Sequence, residues 1–508
     1  MGKSFPDTLS LFKVYIFIIT LCVLVTNHRN KIWNQEETLW QDNIKKAPLN
    51  ARTYHSLGVY YMDAGNYPRA VKHFEHALQL DTTYSSAYNN LGSVYEMQGA
   101  YKKAKWAYEE ALKITPYYAK ALFNLGNLYY HRELYKQAEE AYEKALRINP
   151  GLPQAHNNLG SIYNHHQQYD KAISAFKEAL SIDPLFEMAY NNIGIAFYDT
   201  GHYQEAIKHY HKAIQINPKF IDAYNNLGIV YNHIGDYERA ISALKKALAL
   251  RPDFVEAYIN LGVVYNNSTA YDQAIPKLLM ALKLNPSDAR AYYNLGITYT
   301  GKNSDEKAIA AYQKAIELDP ECAEAYNNLG IIYNKKGYPD QSIPLFKRAI
   351  TIKPLFAEAY NNLGIAYYKK AEYKKAIQYQ QKALQINPFS KETLHSMANT
   401  YNQSGSYEKA IIAYKKVIDL DPGCADAHNN LGTVYQAKGR WEQALNEFKR
   451  VILINPDHAL AHLNLAIIYA VHEKDKKNAR YHLNRCIFIN PNLPQLKKVK
   501  GKLLTLID

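Results

Sequence analysis

Asparagine is the residue type whose spacing in this 508-residue chain suggests a chemical role. If Ala51 is position 1 of a 34-residue repeat, position 6 is asparagine in eleven of thirteen successive repeats, with Ser56 and Ser396 as the exceptions. A carboxamide offers two hydrogen-bond donors and an acceptor. A row of carboxamides at one repeat spacing can hold the backbone of an extended peptide without demanding a particular peptide sequence. The eleven residues, called the asparagine ladder below, are Asn90, Asn124, Asn158, Asn192, Asn226, Asn260, Asn294, Asn328, Asn362, Asn430 and Asn464.

The closest match to a catalytic motif is the segment GITYTGKN, which begins at Gly296. It nearly fits the phosphate-binding loop GxxxxGK[ST], but Asn303 replaces the hydroxyl that binds magnesium, and a helix is predicted where a strand must precede the loop. His73 and His76 are too close together for a zinc-binding helix motif, and the chain contains no HExxH sequence. We therefore predict that the chain is not an enzyme and that it uses no cofactor and no metal.

The elements that position the ladder follow from the 34-residue period. Most repeats carry Leu-Gly at positions 7 and 8, Tyr at 11, Ala at 20 and 27, a large residue at 24 and Pro near 32, as in Leu91, Gly92, Tyr95, Ala104 and Tyr108. Positions 4, 7, 8 and 11 share one helical face, as do positions 20, 24 and 27. Each repeat is therefore predicted to form two amphipathic helices, A and B, whose small residues allow close approach.

Two features depart from this pattern. Pro276 and Pro344 lie inside predicted B helices, about one turn after the helix begins, so we expect a mild bend at each. In the last repeat, one extra residue shifts the final proline to Pro491, and Leu496 and Leu503 then recur at helical spacing among lysines. Stacked repeats need a terminal cap with a polar outer face, and residues 493–508 are predicted to be that capping helix.

The repeat residues resemble those of the tetratricopeptide repeat (TPR), which carries Leu-Gly, Tyr, Ala, an aromatic residue, Ala and Pro at these spacings. The resemblance covers residues 51–492 as thirteen repeats and implies an all-α solenoid, a right-handed superhelix of helix pairs. The array also resembles the repeat domain of the O-linked N-acetylglucosamine transferases, where asparagines line the inner groove. The sequence shows no counterpart of the transferase's catalytic domain, so the resemblance does not imply that activity here.

Two interpretations of the ladder remain open. Asparagine is a poor helix former, so helix propensity does not explain it. The first interpretation is peptide contact on the concave side of the A helices, which predicts that changing Asn192, Asn226, Asn260 and Asn294 to alanine weakens binding with little effect on melting. The second is that the carboxamides bond neighbouring helices and set the superhelical pitch. Position 2 is acidic in the later repeats. Repeats that resemble the chaperone carboxylate clamp instead carry a Lys/Arg–Asn set at positions 2, 5, 6 and 9. That basic set is missing here, so an acidic C-terminal peptide is not the first expectation.

Residues 9–26 form an apolar segment in which Lys13 is the only charged residue. Eighteen helical residues span roughly 27 Å, about the thickness of a bilayer core, and no small-x-small cleavage site follows. We therefore expect an uncleaved, single-pass transmembrane helix after an N-terminal tail at 1–8, with the array on an unspecified side of the membrane. A cleaved signal peptide is the alternative.

Residues 27–50 are predicted to link this segment to the repeats. Trp33 and Trp40 fit either the membrane interface or a cap over the first repeat. The stretch resembles the tail of multi-spanning TPR proteins related to membrane O-mannosyltransferases. The polytopic catalytic half of those proteins has no counterpart in the sequence.

The net charge of +13 raises the question of nucleic-acid binding. Most of the excess lies at the two ends, since residues 472–508 hold nine Lys/Arg against three Asp/Glu, while the array itself is close to neutral. A nucleic-acid binder would need a basic stripe in the array, so no nucleic-acid partner is predicted.

These observations together predict a membrane-anchored TPR scaffold that binds partner proteins or extended peptides in an asparagine-lined groove. The alternative is a non-catalytic accessory subunit that presents acceptor segments to a polytopic protein glycosyltransferase encoded separately.

Overall fold

The computed structural model describes Phe17, residues 19–22, Leu24, Thr26 and residues 36–507. Within residues 36–507 the chain is helical, with short turns and no strand. It divides into two compact units, Met1–Arg251 and Pro252–Asp508.

From Glu36 onward, the first unit contains one leading helix and six helix pairs. Its helices are α1 (Glu36–Lys46), α2 (Ala51–Asp63), α3 (Tyr67–Leu80), α4 (Ser85–Met97), α5 (Tyr101–Ile114), α6 (Ala119–His131), α7 (Tyr135–Ile148), α8 (Pro153–His165), α9 (Tyr169–Ile182), α10 (Glu187–Asp199), α11 (Tyr203–Ile216), α12 (Ile221–His233) and α13 (Tyr237–Leu250).

The second unit contains seven helix pairs and a final helix. Its helices are α14 (Val255–Asn267), α15 (Tyr271–Leu284), α16 (Ala289–Gly301), α17 (Asp305–Leu318), α18 (Ala323–Lys335), α19 (Pro339–Ile352), α20 (Ala357–Lys369), α21 (Tyr373–Ile386), α22 (Lys391–Gln403), α23 (Tyr407–Leu420), α24 (Ala425–Ala437), α25 (Trp441–Ile454), α26 (Ala459–Ile468), α27 (Lys476–Ile489) and α28 (Pro494–Ile507). In both units, the A helices carry even numbers from α2 to α26, and each B helix follows its A helix.

The turn between each A helix and its B helix contains one residue with positive φ. This residue is glycine in seven turns, such as Gly65 at 71° and Gly235 at 80°, and an ordinary residue in the others, such as Thr269 at 58°. A left-handed residue lets the next amide bond back into the last helical turn, as when Asn66 N donates to Tyr61 O at 2.8 Å. Glycine makes this turn easy but is not required for it.

Close packing of A on B depends on the glycine at position 8. A Cβ atom added to Gly194 would lie 2.5 Å from Cε1 of Tyr210, and one added to Gly58 would lie 2.7 Å from the Phe74 ring. The position-24 side chain therefore occupies the space that a larger residue at position 8 would need. This contact fixes the angle at which each A helix presents its polar face.

The unusual B helices remain continuous. Pro276 lies inside α15 and Pro344 inside α19, and both helices have the same 14-residue length as the B helices around them. A proline one turn into a helix removes at most one backbone hydrogen bond, which is consistent with this outcome.

The extra residue of the last repeat is absorbed in one place. A short π-helix, Tyr469–Glu473, extends α26, and Lys474 follows with a φ of 55°. A single inserted residue commonly widens one helical turn in this way. Helix α27 then resumes packing, and Leu496 and Leu503 of α28 are buried against Leu483 and Cys486.

Helix α1 packs against the first repeat. Trp40 and Ile44 contact the cluster that contains Leu57 and Tyr61, and Tyr61 Oη donates to Glu37 Oε1 at 2.7 Å. For Trp40 the structure favours a cap over the first repeat instead of a membrane interface. Trp33 lies outside the described residues.

The predicted single-pass membrane localisation is wrong. In the described part of the chain, no helix combines the length and apolar character that crossing a bilayer requires. The longest helices there contain 14 residues, about 21 Å, against a hydrocarbon core of about 30 Å. Of the proposed segment 9–26, only Phe17, residues 19–22, Leu24 and Thr26 are described, and its other residues and the tail at 1–8 lie outside the described residues.

Candidate peptide-binding face

All eleven ladder residues lie on A helices, and most are half-buried. Asn294 and Asn464 are the two that are buried. The preceding residue, position 5, is often a second asparagine, and this one is buried in every such repeat. The five described pairs that bond to each other are Asn89–Asn90, Asn157–Asn158, Asn191–Asn192, Asn327–Asn328 and Asn429–Asn430.

The ladder forms hydrogen bonds from repeat to repeat. Asn192 Nδ2 donates to Asn157 Oδ1 of the preceding repeat at 3.0 Å, and Asn226 Nδ2 donates to Asn191 Oδ1 at the same distance. Within a repeat, Asn191 Nδ2 donates to Asn192 Oδ1 at 3.4 Å. The bonds therefore alternate between and within repeats. The same bond between repeats joins Asn124 to Asn89, Asn362 to Asn327 and Asn464 to Asn429.

Where position 5 is not asparagine, another side chain accepts the bond. Phe123 occupies position 5 of the third repeat, and Asn158 donates instead to Asn127 Oδ1 at 3.0 Å. Asn90 Nδ2 lies 3.0 Å from His55 Nε2. The bond from position 6 to the preceding repeat therefore forms with different acceptors and recurs along this face.

Tyrosines at position 24 join the same network. Tyr142 Oη donates to Asn127 Oδ1 at 2.7 Å, and Tyr414 Oη donates to Asn399 Oδ1 at 2.5 Å. Burial raises the pKa of both phenols far above the usual value for tyrosine. They are therefore neutral donors at physiological pH, and they connect the A–B core to the ladder.

The network changes at the start of the second unit. Asn294 Nδ2 donates to Arg290 O of its own helix at 2.8 Å. Asn266, at position 12 of the preceding repeat, joins the two repeats instead. Its Nδ2 donates to Asn294 O at 3.1 Å, and its Oδ1 accepts from Thr298 Oγ1 at 2.8 Å. Asn266 could not be selected from the sequence, because position 12 varies between repeats. Asn260 is half-buried on α14.

Successive A helices contact each other within each unit, as α8 does α10 and α18 does α20. In each unit their polar residues therefore form a continuous surface, and both surfaces are called the A-helix face below. Position 9 lies one turn after position 6 and is aliphatic and partly exposed in neighbouring repeats, at Ile195 and Ile229 in the first unit and at Ile297, Ile331 and Ile365 in the second. Sequence reasoning missed this aliphatic row, although the spacing of three residues from the ladder could have revealed it.

Some ladder residues, such as Asn192, keep unused hydrogen-bonding capacity, whereas two partners accept from each of Asn124, Asn158, Asn328 and Asn430. Each carboxamide has two N–H groups and two acceptor lone pairs, and Asn192 spends one N–H on Asn157 and one lone pair on Asn191. One N–H and one lone pair remain on a side chain that is only half-buried. This arrangement suits recognition of amide groups and offers no nucleophile or general base. In the described residues, no group of three or more His, Cys, Asp and Glu side chains could hold a metal ion.

Comparisons with known proteins agree with the architecture. TPR family models match residues 49–116, 119–186, 196–254, 270–354, 357–390 and 398–458. No curated protein matches the sequence.

Among solved structures, the chain is similar to the APC/C hetero-tetramer Cut9–Hcn1, at 16% identity and a TM-score of 0.50, over 90% of this chain and 98% of the other. That likeness shows the fold alone. The chain is also similar to YrrB, described as a TPR protein with an unusual peptide-binding site, at 31% identity and a TM-score of 0.32, over 36% of this chain and 95% of the other. The repeat residues, the helix pairs and the matching family models establish that the chain belongs to the tetratricopeptide repeat family.

Proposed function

We propose that this chain is a non-catalytic scaffold that binds an extended segment of a partner protein along its A-helix face. The observation that carries the proposal is that ladder residues are oriented by buried neighbours and are also partly exposed. The carboxamides of Asn192, Asn226 and Asn362 are held in fixed orientations by buried neighbours, yet each donates only one N–H to them and is half-buried, so a second N–H remains near the surface. A binding surface that is already ordered loses little conformational entropy when a ligand binds.

Spacing supports an extended ligand. Packed helices lie about 8–10 Å apart, and an extended chain advances about 3.3 Å per residue. One repeat therefore corresponds to about three ligand residues. Carboxamides at this interval can donate to main-chain carbonyl groups, while the aliphatic row at position 9 contacts side chains. Such contacts give affinity with modest sequence selectivity.

The accessory-subunit alternative would use the same face to present acceptor segments to a glycosyltransferase. Its basis is the resemblance at residues 27–50, and no described feature of the A-helix face distinguishes an acceptor segment from another extended peptide. Peptide recognition is therefore the function proposed here.

A selection experiment tests the proposal. The immobilised full-length chain is exposed to a displayed library of random peptides, and enriched peptides are synthesised with a photoactivatable cross-linker. We expect enriched peptides to compete with one another and to label A-helix residues such as Ile195 or Ile331. Failure to enrich any peptide, or labelling confined to B helices, would refute the proposal.

A further inference from the structure

The asparagine ladder is interrupted between the tenth and eleventh repeats. Asn361 is a position-5 asparagine with 7% exposure, and its Oδ1 has no hydrogen-bond partner. In other repeats this acceptor receives the Nδ2 group of the next ladder residue, as Asn327 Oδ1 does from Asn362. Here the next ladder position is Ser396, whose shorter side chain provides no such bond. A buried acceptor is therefore left without a donor where the ladder meets the eleventh repeat.

Exposed carboxylates flank this gap. Glu358, Glu392 and Asp426 occupy position 2 of three successive A helices, α20, α22 and α24, and all three are exposed. Their contacts are to uncharged or weakly basic groups. Glu358 accepts from Asn327 Nδ2 at 3.2 Å, and Glu392 accepts from Ser390 Oγ at 3.4 Å. Asp426 lies 3.9 Å from His458 Nε2.

The lysines nearest this row are engaged elsewhere. Lys353 pairs with Glu324 at 2.8 Å, Lys391 pairs with Asp421 at 2.7 Å, and Lys369 Nζ donates to Asn334 O at 2.6 Å. In residues 36–507, no lysine or arginine forms an ion pair with the three carboxylates. Lys391 interacts electrostatically with Glu392, but the row has no direct Lys or Arg ion pair and presents a net negative charge.

We propose that the A-helix face of the tenth to twelfth repeats binds an extended peptide with basic side chains at about every third residue. This inference rests on the proposed function and names its ligand class. The three exposed carboxylates are all acceptors, so they complement a ligand rich in donors. Lysine or arginine side chains, spaced as the carboxylates are, meet Glu358, Glu392 and Asp426 in turn.

Three labelled twelve-residue peptides test the charge requirement. They are identical except at every third position, which is lysine, glutamine or glutamate, and their binding to the full-length chain is followed by fluorescence anisotropy at low salt. We expect the lysine peptide to bind about tenfold or more tightly than the glutamine peptide and to weaken as NaCl is raised. Equal binding of the lysine and glutamine peptides, or a preference for glutamate, would overturn the inference.

Matched variants locate the contact. The triple variant Glu358→Gln, Glu392→Gln, Asp426→Asn is expected to lose about tenfold in affinity for the lysine peptide. The control variant Asp253→Asn, Asp419→Asn, Glu442→Gln removes the same charge from exposed residues in a turn and on B helices, and it should bind as the wild type does. Equal losses in both variants would mean that only net charge matters and would overturn the inference.

Different results would exclude the basic ligand and the proposed peptide binding. If the glutamine peptide binds and the triple variant has no effect, the basic ligand is excluded while peptide binding stands. If none of the three peptides binds and the library yields no binder, the proposed function fails as well.

Discussion

Asn191 and Asn192 are adjacent and chemically identical, yet their surroundings give them different roles. Asn191 is buried and accepts a bond from Asn226, whereas Asn192 is half-buried and keeps a free N–H. The structure changes one expectation drawn from the sequence. Removing Asn192 leaves the buried Asn157 Oδ1 without its donor, which costs about 1–3 kcal/mol. Ladder variants should therefore melt earlier, as well as bind less.

Gln380 gives a second prediction about a single residue. It fills position 24 of the tenth repeat, is fully buried beside Gly364, and neither amide atom has a partner. Phe346 and Phe448 occupy the same position in other repeats without unmet polar groups. Gln380→Phe should raise the free energy of unfolding by about 1–3 kcal/mol in urea titrations, because it removes a desolvated amide.

The reciprocal variant Phe346→Gln is the control for this prediction and should lower the stability by a similar amount. A Gln380→Phe chain that is less stable than the wild type would show that the amide has partners in solution.

Individual residues also show what the sequence could not predict. The spacing identified the core tyrosines, alanines and the glycine at position 8, because helical periodicity alone places them inside. It did not distinguish Asn361 from Asn327, since the difference depends on whether the next repeat supplies a donor. It also did not reveal Asn266, which gains its role only when Asn294 bonds its own helix.

At the scale of elements, the helix pairs and their turns follow closely from the sequence, while the last repeat shows local adaptation. The inserted residue there forms a π-helical turn, a choice that periodicity cannot predict. Beside it, His462 Nδ1 and His482 Nδ1 lie 2.8 Å apart, and His462 Nε2 donates to Pro456 O at 3.0 Å. The pair connects α26 to α27.

This histidine pair predicts a pH dependence. Burial, and then the neighbouring His462, lower the pKa of His482 to about 4, against about 6.5 in an unfolded chain. Between these values the unfolded state binds a proton that the folded state does not, so stability falls as pH drops from about 6.5 to 4. On going from pH 7 to pH 5, amide protection in α27 should fall about twentyfold more in the wild type than in His482→Gln.

Hydrogen exchange followed by mass spectrometry measures this effect, with each variant compared at the same pH so that intrinsic exchange rates cancel. His472→Gln, an exposed neighbour on the π-helix, is the control and should behave as the wild type does. Equal pH responses of wild type and His482→Gln would contradict the argument.

For the molecule as a whole, the sequence period predicted the all-helical solenoid because each repeat can bury its apolar faces only against its neighbours. The apolar composition of residues 9–26 did not predict the localisation correctly. An apolar stretch of 18 residues suggested a membrane helix, but the described part of the chain contains no helix that meets the requirement. The proposal of recognition also came from the sequence, because the repeated polar residues are carboxamides and not acids, bases or nucleophiles.

The asparagine ladder is proposed both to join the repeats and to contact a ligand. Two double variants separate these roles because they break the same bonds from opposite ends. Asn192→Ala with Asn226→Ala removes the donors near the surface, and Asn157→Ala with Asn191→Ala removes their buried acceptors. Both should lower the melting temperature to a similar extent.

The decisive measurement is the affinity of an enriched peptide for these two variants, taken at a temperature where circular dichroism shows both to be folded. The variant at positions 192 and 226 is expected to bind about tenfold or more weakly than the wild type, while the variant at positions 157 and 191 is expected to lose less than about threefold in affinity. Equal affinities in the two variants would show that the ladder only holds the repeats together.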